Sequence, residues 1–112
     1  MKKFNFKSWL INVLRRASYK WPARSEALAS ARIERGLYKC NMCNGSFRRK
    51  EVELDHIIPV INVKYGFTTW DEYINRLFCE ASNYQVICSL CHVAKTTTEN
   101  NMRKLVDKKK KR

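Results

Sequence analysis

Three motifs within residues 40–95 decide the fold: CNMC at Cys40–Cys43, LDHIIP at Leu54–Pro59 and NYQVICSLCHVAK at Asn83–Lys95. Together they hold four of the five cysteines and both histidines of the chain. Cys40/Cys43 and Cys88/Cys91 are CxxC pairs, a spacing that lets each pair present both sulfurs to one ion, and four thiolates satisfy tetrahedral zinc. No export signal is recognisable, so a reducing compartment is expected, where such pairs read as metal ligands more readily than as disulfides or redox pairs. Residues 44–87 separate the pairs, well beyond the ~15–20 residues of the common zinc ribbon. The two knuckles must therefore meet in space with the intervening chain looped between them. A closed four-sulfur shell has no open position, so this zinc is expected to be structural. Cys79 is the leftover cysteine and reads as a small buried hydrophobe on a helix face.

Working outward, charge is the next strong signal. The chain has 112 residues, enough for one domain, with 23 Lys plus Arg against 10 Asp plus Glu and a net charge of +13. Such a field attracts polyanions, chiefly nucleic acid; the bland alternative is a basic protein kept soluble by repulsion. No run of ~18 apolar residues exists to span a membrane. The apolar segment Ser8–Leu14 is too short for a signal peptide and is followed by Arg15 and Arg16 without a small-residue cleavage site. A cytoplasmic location is expected.

Residues 1–36 read as two basic helices. Trp9, Leu10, Val13, Leu14 and Ala17 repeat at helical spacing, with Ser8 as cap and Arg15 and Arg16 on the charged face. Pro22 suits the first turn of a second helix. Ala23–Arg35 is rich in helix formers, and Gly36 ends the helix as its C′ residue. Residues 37–100 read as the core. A first knuckle turns at Asn44–Gly45, a short strand leads into Asp55–His56, and Val60–Thr68 forms a loop. Thr69–Glu72 has the form of a capping box for a helix from Trp70 to about Cys79. A strand at Tyr84–Ile87 enters the second knuckle, and a helix from about Ser89 carries His92 and Lys95. Residues 101–112 end in KKKKR, a like-charge block of the kind that is usually disordered. Arg48, Arg49 and Lys50 add a basic cluster beside the first knuckle.

Asp55, His56, Pro59, Asn83, Gln85, Cys88, Cys91, His92 and Lys95 form the pattern D-H-I-x-P, then N-x-Q-x-x-C-x-x-C-H-x-x-K. This pattern resembles the HNH endonuclease family over residues 37–97, about half of the chain. The resemblance implies an α+β fold, a ββα-metal (His-Me) finger stabilised by the zinc site and preceded by the helical extension. It implies a metal-dependent endonuclease that nicks or cuts DNA, leaving a 5′-phosphate and a 3′-hydroxyl. His56 would be the general base, since imidazole titrates near neutrality. Asp55 and His92 would hold the catalytic divalent ion, Asn83 would orient His56 through its side chain or carbonyl, and Lys95 would contact phosphate. Phosphate contacts further out fall to Arg15, Arg16, Arg48, Arg49 and Lys50. A mixed Asp/His donor set suits Mg²⁺ or Mn²⁺, with Ni²⁺, Co²⁺ and Zn²⁺ as further candidates. Two departures stand out. Asp55 occupies a position that is His in many members, and Thr96 stands where some members carry a third ligand. Small proteins of this kind are common in bacteriophages, which implies host cytoplasm as the location and a phage or host protein as a further partner. Monomer and homodimer both remain open. The rival reading is a non-catalytic zinc module that binds nucleic acid or a packaging partner.

Overall fold

The structure, a computed structural model, describes residues 3–110, and it is α+β. Helix α1 spans Phe6–Ser18 and is capped by Asn5, whose Oδ1 accepts from the Ser8 amide at 3.0 Å. Ser8 was the expected cap; Asn5 reaches further back and takes the orphan N–H that a helix start leaves open. Trp21 then breaks the chain, and α2 runs Pro22–Ala31 with Pro22 in its first turn.

α2 stops four residues before the expected Arg35. Arg32–Glu34 is instead β1, paired antiparallel with β2, Leu37–Lys39. Gly36 has φ +80°, the left-handed geometry expected of it, but spends it on a two-residue hairpin turn. β2 pairs in turn with β3, Ser46–Arg48, through the Asn44–Gly45 turn, where Asn44 has φ 64°. This three-stranded sheet runs across residue 36.

The second sheet is the frame of the site. β4, Val52–His56, pairs antiparallel with β5, Tyr84–Cys88, in unbroken register from Val52 opposite Cys88 to His56 opposite Tyr84. Between them lie a loop and α3, Trp70–Leu77, whose Thr69 hydroxyl accepts from the Glu72 amide as a cap. β5 is followed without a break by α4, Ser89–Lys110.

Tyr84, Val86, Ile87 and Cys88 of β5 are all buried, because the strand is covered on both faces. One cluster packs Tyr84 against Ala23 and Ala27 of α2, with Leu54, Cys79 and Ala81 around them. A second, at the other end of the strand, packs Ile87 and Cys88 against Cys40, with Phe47 and Cys91. The small side chains of α2 allow its backbone to approach the sheet closely, so α2 belongs to the core. Cys79 is half-buried just past α3, in the first cluster and apart from the other cysteines.

Residues 101–110, expected as a disordered tail, continue α4. The segment holds neither Gly nor Pro, Lys and Arg are good helix formers, and Arg103 is tied down by donating from Nη2 to the Ile61 carbonyl at 3.0 Å. Positions 111 and 112 lie outside the described residues. No helix among the described residues is long and apolar enough to cross a membrane.

Candidate metal centre and adjoining cleft

The turn after β2 brings Cys40 and Cys43 against the end of β5 and the first turn of α4, which carry Cys88 and Cys91. The four sulfurs lie within 4.8 Å of one another, with Cys43 Sγ 3.9 Å from Cys88 Sγ. Ligands ~2.3 Å from a tetrahedral ion would be separated by roughly 3.8 Å, so the cluster has the dimensions to hold one metal ion. Among the described residues it is the single group of three or more Cys, His, Asp or Glu so arranged. Burial pushes the Cys40 thiol up, but backbone donors from Cys43, Cys88 and Met42 outweigh it and bring it down to about 6. Sharing of the Cys88 sulfur, with burial behind it, pushes Cys91 up to about 12.

The knuckle is wired to β5 beyond the sulfurs. The Asn41 amide donates to the Val86 carbonyl at 2.8 Å. Asn41 Nδ2 donates to Gln85 Oε1 at 2.8 Å, and Gln85 Nε2 donates to Asp55 Oδ2 at 3.3 Å. A hydrogen-bonded chain therefore runs from the residue beside Cys40 to the Asp55 carboxylate.

Asp55 and His56 close β4 at the floor of a cleft of about 800 Å³, which His92 and Lys95 of α4 also line. His56 Nε2 lies 3.1 Å from the Leu77 carbonyl. A carbonyl oxygen only accepts, so Nε2 carries the proton and Nδ1 of the neutral ring keeps its lone pair. Leu77 ends α3, where carbonyls lack helical partners; Tyr84 Oη donates to the same oxygen at 3.1 Å. The Tyr84 ring lies 4.7 Å from the imidazole, centroid to centroid. Burial lowers the His56 pKa from its ordinary 6.5; the Leu77 carbonyl and Asp55 oppose this, and the charges of Arg24 and Lys95 add to it.

Asn83, expected to orient His56, contributes its backbone carbonyl to the Ile57 amide at 2.9 Å. It fixes the chain leaving His56, while Leu77 holds the ring. Lys95 is enclosed: its Nζ lies 3.0 Å from Asp55 Oδ2, pairs with Glu99, and donates to the His56 carbonyl at 3.2 Å. Arg15 lines the cleft, whereas Arg16, Arg48, Arg49 and Lys50 do not.

Sequence reasoning missed Leu77, Glu99, Arg103, Tyr19 and Arg24, all at this cleft. Glu99 and Arg103 had a signal, since His92, Lys95, Glu99 and Arg103 follow at helical spacing along one face. Tyr19 and Arg24 had none, being brought in by the packing of α2 on β5. Comparison of the chain with models of known families, with curated proteins and with solved structures finds no match.

Proposed function

We propose that the chain is a metal-dependent HNH endonuclease, with β4, β5 and the start of α4 as its ββα-metal finger and the four cysteines as a structural zinc site. The observation that carries this reading is one cleft shared by Asp55, His56 and His92, with the imidazole held through Nε2 so that Nδ1 is free. A general base needs that free lone pair and a neutral ring at working pH, and the lowered pKa of His56 supplies the second condition.

His56 Nδ1 takes the proton of the water that attacks phosphorus. The Leu77 carbonyl keeps the ring in the right tautomer and shares the charge that the imidazolium acquires. Asp55 and His92 offer an oxygen and a nitrogen donor, a set that fits a divalent ion such as Mg²⁺ or Mn²⁺, which commonly keeps water on its remaining positions. Such an ion, when bound, offsets charge on the phosphate oxygens. The net charge of +13 favours a polyanionic substrate.

Supercoiled plasmid incubated with the chain and Mg²⁺ or Mn²⁺ is expected to relax or linearise, and His56→Ala is expected to abolish this. Equal conversion by both proteins would remove His56 from the mechanism. No conversion by either, with DNA binding retained, would favour a non-catalytic zinc module.

A further inference from the structure

A ladder of planar groups leads from the surface to the cleft floor. Tyr19, in the turn after α1, is 60% exposed. The Arg24 guanidinium carbon lies 5.2 Å from the centre of its ring and 5.6 Å from that of Tyr84, whose ring lies 4.7 Å from His56. Arg24 is half-buried. Among the described residues, neither Arg24 nor Arg15 has a carboxylate within 4.0 Å, whereas Lys95 has two. Lys95 is thus neutralised within the fold, while Arg15 of α1, Arg24 of α2 and Arg103 of α4 line the cleft with no carboxylate in reach among the described residues. Ile11, Ile61 and Leu77 supply apolar surface to the same cleft.

Resting on the nuclease reading above, we propose that this cleft takes an unpaired DNA strand. Arg24 binds the phosphate next to His56, and Tyr19 is the platform on which the neighbouring base stacks. Three features separate an unpaired strand from a duplex. The cleft is lined by residues of α1, α2, β4 and α4, and at about 800 Å³ it falls within the ~300–1,000 Å³ of small-molecule sites, which suits a few nucleotides. A duplex keeps its base faces stacked inside and presents none to Tyr19, whereas a single strand does, and stacking is tolerant of sequence. A guanidinium matches two phosphate oxygens with parallel donors, and its position between two rings holds that fork in place without a carboxylate partner.

The test is fluorescence anisotropy on the full chain, in buffer without added Mg²⁺ or Mn²⁺, with a labelled oligothymidylate and a hairpin duplex of equal charge. The single strand should bind more tightly. Tyr19→Ala should weaken it roughly ten-fold while Tyr19→Phe leaves it unchanged, and neither should alter duplex binding. Arg24→Gln should lower the salt dependence of strand binding by about one phosphate contact, a log–log slope change of about 0.7, while Arg24→Lys should keep the slope and bind more weakly than wild type. Tyr19 is exposed, so its variants should fold, and unchanged circular dichroism checks this. Duplex bound at least as tightly, with Tyr19→Ala silent on the single strand, overturns the proposal; plasmid cleavage in that same protein would leave the nuclease reading standing. Strand binding that depends on Tyr19, in a chain that cleaves nothing, would support the proposal and count against the nuclease reading.

Discussion

His56 illustrates how a fold sets the chemistry of one residue. Its pKa is lowered chiefly by burial, so on acidification the unfolded chain takes up a proton before the folded one. Stability should therefore fall as pH drops below about 6.5, until the folded imidazole also protonates. Urea titrations across that window should show the loss in the wild type and a smaller one in His56→Gln; identical pH dependence would contradict the burial. Lys95 has the opposite shift. Burial alone would lower it, but Glu99 and Asp55 raise it on balance, and its side chain and that of Asp55 are each 17% exposed. Lys95→Met leaves Asp55 half-buried with Gln85 as its remaining side-chain partner, and should cost about 1–3 kcal/mol. Combining it with Asp55→Asn should recover part of that loss, and additive effects would exclude the coupling. At this scale the grouping of the four cysteines was legible because their identity and spacing suit one ion, and the motifs around Asp55, His56 and His92 pointed to residues that line one cleft. The Leu77 carbonyl was not, because a backbone oxygen has no signature of its own and only the end of α3 exposes it.

The elements were legible where a local rule governs them. Thr69 caps α3 as its sequence suggests, and Pro22 opens α2. They were misread where one local feature serves two structures. Gly36 supplies a positive φ to either a helix terminus or a hairpin, and pairing of Arg32–Glu34 with β2 decides for the hairpin. Likewise the lysines of residues 101–110 read as a tail until Arg103 is seen to hold α4 against the 57–68 loop. Arg103→Ala should release that loop, and trypsin should then cut after Lys64 several-fold faster at unchanged overall fold; no change in rate would mean that the loop is held otherwise. Asn41→Ala breaks the side-chain link from the cysteine turn to Gln85 and should cost about 1 kcal/mol, measurable by thermal melting. A neutral result would show that the Asn41 backbone bond to Val86 suffices.

Over the whole molecule, the cysteine cluster ties the first sheet to β5 and α4, and that closure brings Asp55 and His56 to the same cleft as His92. His92 directly follows Cys91, so the clamp also sets where this imidazole starts. Structural zinc is worth about 10–16 kcal/mol in small zinc domains, as much as the ~5–15 kcal/mol net stability of a typical domain. On the proposed zinc site, stripping the metal should therefore unfold the chain and scatter the residues of the cleft. The most direct measurement follows plasmid cleavage and helical circular dichroism together, with Mg²⁺ held constant, as zinc is stripped and one equivalent is restored. Both signals should vanish and return in the wild type, while His56→Ala should recover its helicity and no cleavage. Cleavage by the zinc-free chain, or by refolded His56→Ala, would contradict a structural clamp built around a histidine base.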